Sequence, residues 1–77
     1  MIAKREIPDA ADQLADLAGA DPIPRVRGAA CRALAEVGEG EHLDAVAAAT
    51  ADPDRSVAAA AERALARLER RLDRRAG

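Results

Sequence analysis

The chain repeats itself at an offset of 31 residues, which restricts it to stacked copies of one supersecondary unit. Residues 21–37 lie over residues 52–68, and Asp21/Asp52, Pro22/Pro53, Val26/Val57, Ala29/Ala60, Ala30/Ala61, Arg32/Arg63, Ala33/Ala64, Leu34/Leu65 and Ala35/Ala66 coincide. Each Asp-Pro is a break, because proline has no amide proton and disfavours helical geometry in the residue before it. A helix is expected just beyond each break.

Capping signals and apolar spacing place four helices, at about 9–19, 24–37, 41–51 and 55–75. Asp9 and Asp54 are positioned as N-caps, and Pro24 suits a first helical turn. The glycine pair of Gly38-Glu39-Gly40 predicts a left-handed cap at the end of the second helix. Apolar stripes run through Ile7, Ala10, Ala11, Leu14, Leu17 and Ala18, and through Val26, Ala30, Ala33, Leu34 and Val37. The third helix carries Leu43, Val46, Ala47 and Thr50, and the fourth Val57, Ala61, Ala64, Leu65, Leu68 and Leu72. Connections of a few residues force neighbouring helices to run antiparallel. The fold class is therefore all-α: two antiparallel helical hairpins stacked as a short α-solenoid, in a single domain over 1–77. The first repeat covers about 9–38, the second about 41–68, and a helix extension follows over 69–77.

The core of such a stack is thin. Among 77 residues there is no aromatic side chain, and alanine supplies more than half of the hydrophobic ones. Burial stabilises by roughly 25 cal/mol per Å², so small side chains yield modest stability. The net charge of −2 conceals an asymmetry: residues 1–61 carry six basic and eleven acidic groups, whereas residues 62–77 carry six basic and three acidic. A lone Cys31 has no internal disulfide partner. The start Met1-Ile2-Ala3-Lys4-Arg5-Glu6 lacks the apolar stretch of a secretory signal, and no apolar run is long enough to cross a bilayer. A reducing, cytoplasmic setting without membrane attachment is expected.

The chain resembles HEAT repeats, in particular the short bacterial, phycobilisome-lyase-like kind. Leu14 and Leu17, Asp21-Pro22, Val26-Arg27, Ala29-Ala30, Ala33-Leu34 and Glu36-Val37-Gly38 carry the likeness, and Gly38 to Val46 resembles the turn between repeats in that family. The resemblance implies a structural pair of turn Asp and following Arg, matched here by Asp21 and Arg27. The second copy keeps Asp52 but has Ala58 six residues on, so that linkage is expected to be missing there. Ile23 stands where a capping Asp is usual. For function, the resemblance implies a surface that presents itself to partners. Some family members assist enzymes and some relatives bind DNA, and fold alone does not select among these.

Each repeat of a solenoid buries its apolar face against neighbours, and two repeats leave both ends open. Self-association or a stable protein partner is therefore expected. The spacing of Ala61, Leu65, Leu68 and Leu72 suits either the hairpin core or a short coiled-coil seam. Helical projection aligns Arg63, Arg67, Arg70 and Arg74 along one outward stripe, with Arg25 and Arg32 on the matching side of the second helix. These six are the candidate partner-binding residues, set against the plainer reading of a solvated charged surface. An acidic protein segment fits them better than nucleic acid, since there are no aromatics for base stacking and the rest of the chain is acidic.

Catalysis and small-molecule substrates are not expected. His42, Cys31 and Ser56 are the only residues of their types, and a Cys31–His42 dyad would lack an orienting partner. His42 beside Glu41 and Asp44 is not a metal-ligand set of recognised spacing, and no phosphate-binding glycine loop occurs, so no cofactor is predicted. The sequence points to a non-catalytic protein-protein interaction module: adaptor, assembly subunit or enzyme accessory. A nucleic-acid-associated protein using the arginine stripe is one alternative, and a designed repeat scaffold is another.

Overall fold

The computed structural model describes residues 10–76, with the backbone alone at Ala76. Four helices follow one another: α1 Ala10–Ala20, α2 Pro24–Val37, α3 Leu43–Ala49 and α4 Arg55–Ala76. A single 3-10 turn, Gly40–His42, leads into α3. Helices α1 and α2 form one antiparallel hairpin and α3 and α4 a second; α2 lies against α4 and α1 against α3. No strand occurs among the described residues, and the architecture is the all-α stack of two hairpins expected. Asp9 and Ile7, the anticipated cap and first stripe residue, lie outside the described residues.

The helix starts follow local chemistry. Asp54 caps α4, its Oδ1 accepting from the Ser56 and Val57 amides at 2.9 and 3.2 Å and from the Ser56 hydroxyl at 2.6 Å. These bonds, the hydroxyl first, hold its carboxyl below the ordinary value of 3.8. Ile23 makes no side-chain cap for α2. The Asp21 carboxylate instead accepts from the Ile23 amide at 2.8 Å, closing the turn two residues earlier. Asp52 repeats the arrangement with the Asp54 amide at 2.8 Å.

Two boundaries differ from expectation. The third helix is shorter than 41–51, because both ends tighten. At its end, Thr50, Ala51 and Asp52 donate to carbonyls three residues back, and the Thr50 hydroxyl adds a bond to Ala47 at 2.6 Å. At α2, the left-handed cap is absent: Gly38 has φ −70° and ψ 158°, and no glycine among the described residues has positive φ. Gly38 is required by space. A Cβ there would sit 2.6 Å from the Leu34 carbonyl oxygen and 3.2 Å from a methyl of Leu68.

Ala18, Cys31, Leu34, Val46, Ala61 and Leu68 are fully buried and form the centre of the core. Leu65 and Leu72 are partly buried against it, so the leucines of α4 serve the hairpin core and no coiled-coil seam is needed. Leu17 and Val37 fall on predicted stripes yet are 38% and 48% exposed. Burial also pushes the Cys31 thiol up from its ordinary 9.0.

The hairpins are joined by Arg27. Its Nη1 donates to the Asp21 main-chain carbonyl at 2.9 Å, while Nε and Nη2 form a fork on the Asp52 carboxylate at 2.7 and 3.0 Å. Arg27 thus reaches its own turn through the backbone and gives its fork to the neighbouring repeat. The linkage within the second copy is missing, as Ala58 implies, and the arginine on Asp52 comes instead from the first copy. Fork geometry matches a carboxylate better than an ammonium can. Near both side chains solvent is scarce, with 14% and 7% exposure.

Two outcomes test this packing. Gly38→Ala should destabilise by about 1–3 kcal/mol in denaturant melts, since the new methyl displaces backbone and Leu68 together. The Arg27 fork holds the Asp52 carboxyl below its ordinary 3.8. A depressed carboxyl contributes stability that is complete above its unfolded value and lost as pH falls through the folded one. Thermal midpoints should therefore hold down to about pH 5 and fall below about pH 4, and Asp52→Asn should melt lower at neutral pH with a shallower acid decline.

Candidate interaction site

Where α2 crosses α4, two adjoining hollows make one shallow groove. One, of about 240 Å³, has Ala35, Ala60 and Ala64 as its floor and Arg32, Arg63 and Arg67 around it. The other, of about 500 Å³, continues past Arg32 to Arg25, Gly28 and Ser56. The floor is shallow because its residues are alanine and glycine, which let the helices approach closely and leave no deep pocket. Four guanidinium groups border the groove against two carboxylates, Glu36 and Asp54.

Of the six arginines singled out from the sequence, Arg25, Arg32, Arg63 and Arg67 are brought together here. Arg67 is already engaged, its Nε 2.8 Å from Glu36, in an exposed pair worth little on its own. Arg70 lies farther along α4 in a separate depression with Glu69 and Asp73, and Arg74 in another beside Arg71 and Arg75. The six thus form a groove and an outlying strip, not one continuous face.

Two arginines missed by projection are structural. Arg71 Nη1 donates to the carbonyls of Ala35 and Gly38 at 3.3 and 3.1 Å, satisfying the end of α2 where the helix dipole favours a cation. Arg75 Nη2 binds Glu39 at 2.8 Å, and that bond holds the Glu39 carboxyl below its ordinary 4.5. Both lie one helical position from the predicted stripe, and the direction of α2 decided their role. The extension of α4 is thereby fastened across the turn that follows α2.

His42, at the start of the third helix, is buried, with 3% exposure. Its Nδ1 accepts from the Glu39 amide at 2.8 Å, and its Nε2 lies 2.8 Å from Asp12 of α1 and 3.5 Å from Glu41. The ring links the turn before α3 to α1 across the stack, and Asp12 is a partner that no sequence spacing announces. The three side chains gather donor atoms within 4.8 Å of one another. The Glu39 amide, however, occupies the Nδ1 lone pair, which leaves the ring proton on Nε2 facing Asp12. Nε2 then has no lone pair for a metal. The same use of both nitrogens removes His42 as a base for Cys31, whose thiol is buried.

His42→Ala should cost about 2–3 kcal/mol, because it removes two hydrogen bonds made by a buried ring and leaves the Glu39 amide without its acceptor. Melting midpoints of the unaltered chain should be the same in excess Zn²⁺ and in chelator. A rise with Zn²⁺ that disappears in the His42 variant would show that the ring exchanges its proton for a metal.

No helix among the described residues is long and apolar enough to cross a membrane. No curated protein and no solved structure gives a match to the chain. A family model for HEAT repeats matches residues 1–66, the span that holds the Asp-Pro turns, the Arg27 fork and most of both hairpins. With its sequence repeat, its paired helices and this match in agreement, the chain belongs to the HEAT repeat family.

Proposed function

We propose that this chain is a non-catalytic protein-protein interaction module, an adaptor, assembly subunit or enzyme accessory, that receives an acidic segment of its partner in the groove between α2 and α4. HEAT repeats generally mediate protein interactions, which supplies the broad class. The observation that carries the specific reading is the groove itself: Arg25, Arg32 and Arg63 stand around a floor of Gly28, Ala35, Ala60 and Ala64. None of these three arginines has an ion-pair partner among the described residues, so they are available to carboxylates in charge-assisted, often bidentate contacts. The flat apolar floor suits the backbone and small side chains of an extended or helical segment, and it offers no enclosed volume for a small molecule.

An acidic polypeptide is favoured over a phosphate backbone because Glu36 and Asp54 sit within the groove. A regular row of phosphates would meet both, whereas a peptide can place apolar or basic residues opposite them.

The test is a fluorescence titration with a labelled peptide of Glu, Asp and Leu, and in parallel with a duplex DNA. Arg32→Glu with Arg63→Glu should weaken peptide binding by roughly tenfold or more while helix content stays unchanged. Equal binding by the variant would discard the groove. Tighter binding to DNA, falling steeply with salt and lost in the same variant, would replace the protein partner with nucleic acid.

A further inference from the structure

The two hairpins are copies, yet the same register positions have opposite surroundings in each. In the second copy, Val57, Ala60, Ala64 and Leu68 are 1%, 3%, 3% and 0% exposed. They are covered by α2: a Cβ at Gly28 would lie 3.9 Å from Val57, and one at Gly38 would lie 3.2 Å from Leu68. Thirty-one residues earlier stand Val26, Ala29, Ala33 and Val37, with Val26 and Ala33 half-buried, Ala29 exposed and Val37 48% exposed. The face that the second hairpin turns toward the first is therefore present on the first hairpin as well, and among the described residues no hairpin lies upon it.

The polar half of the joint is duplicated too. Asp52 uses Oδ1 for the Asp54 amide and keeps Oδ2 for the Arg27 Nε at 2.7 Å. Asp21 uses Oδ1 for the Ile23 amide in the same way. Among the described residues no arginine meets its carboxylate. The apolar patch and the waiting carboxylate stand in the same relation as the patch and carboxylate that α2 and Arg27 cover one repeat later.

The opposite end of the stack does not offer the complementary surface. The residues of the first copy that make the joint are Arg27, Gly28, Cys31 and Gly38. Their counterparts are Ala58, Ala59, Glu62 and Glu69. The arginine is gone, and two positions that needed to be small and uncharged are exposed carboxylates. A second copy stacked head to tail would bring Glu62 and Glu69 onto Ala33 and Val37 and present no guanidinium to Asp21. Burying unpaired carboxylates against apolar side chains is costly.

We propose that the α2 face formed by Val26, Ala29, Ala33 and Val37, with Asp21 at its edge, is a docking site for a helical hairpin of HEAT type in a partner protein, one that carries an arginine at the register of Arg27 and small residues at those of Gly28, Cys31 and Gly38. The chain would extend the partner's helical array by two hairpins, and Glu62 and Glu69 disfavour a further copy of the same unit on the second one. Val26, Ala33 and Val37 point away from Gly28 and Ala35 around α2, and Ala29 lies at the rim shared with Arg25 and Arg32. The inference does not rest on the groove.

The probe is the chain itself with its far end rebuilt to resemble its first repeat: Ala58→Arg, Glu62→Ala and Glu69→Ala, combined with Val37→Glu so that it cannot accept a copy of itself. Mixed with the unaltered chain, this helical donor should form a one-to-one complex in sedimentation velocity. Asp21→Asn in the acceptor should weaken it by roughly tenfold, as loss of one partner of a charged hydrogen bond does, and Val37→Glu should abolish it. The Arg32→Glu, Arg63→Glu acceptor should bind the donor normally, which separates this site from the groove. A donor that keeps its helix content and fails to bind overturns the proposal, as does equal binding to the Asp21→Asn acceptor. Self-association of the unaltered chain that is lost with Val37→Glu would also overturn it, by making the occupant a second copy.

Discussion

Arg27 belongs to two hairpins at once. One nitrogen stays with the carbonyl of its own turn, and the other two close on the Asp52 carboxylate of the next, so the planar guanidinium fixes the distance and the rotation between repeats. Everything else at the joint follows from that register. Gly28 comes opposite Val57, Gly38 meets Leu68, and α4 arrives at the end of α2 where Arg71 can reach two carbonyls. An interface floored by alanine and glycine is nearly featureless sideways, and apolar attraction alone has no direction. Here the polar pair supplies it.

Two further polar contacts link separate elements, one buried and one at the surface. His42 ties the turn before α3 to α1 through Asp12, and Arg75 holds Glu39 on that turn. Each fastens one hairpin to the other. With no aromatic residue and few leucines, the chain places its defined contacts between helices in hydrogen bonds and leaves the apolar core to small side chains. Arg25, Arg32 and Arg63 are not used in this way and border the groove, so the same residue type takes different roles according to its position on the helix.

The repeat is also directional. Its copies diverge at positions through which the first hairpin meets the second, where Arg27, Cys31 and Gly38 give way to Ala58, Glu62 and Glu69. That divergence distinguishes an end that matches an internal joint from an end that does not. A two-hairpin array is thereby asymmetric even though it is built from one unit.

The sequence by itself determined the unit: its period, its four helices, the Asp-Pro breaks and the capping role of Asp54 all rest on interactions within a few residues. A link between Arg27 and the turn at Asp21 was legible as a family trait, though it runs through the Asp21 main-chain carbonyl and not its carboxylate, and the arginine stripe was legible as a spacing. Only the tertiary structure decided where those groups are spent. Arg27 crosses to Asp52, 25 residues on. His42 turns inward because Asp12, 30 residues away, is there to meet it. Arg71 leaves the stripe's neighbourhood for the end of α2 and Arg75 for the turn after it, and Gly38 is glycine for want of room and not for its backbone angle. Periodicity places a side chain on a face of its own helix, but the packing of hairpins decides what that face meets.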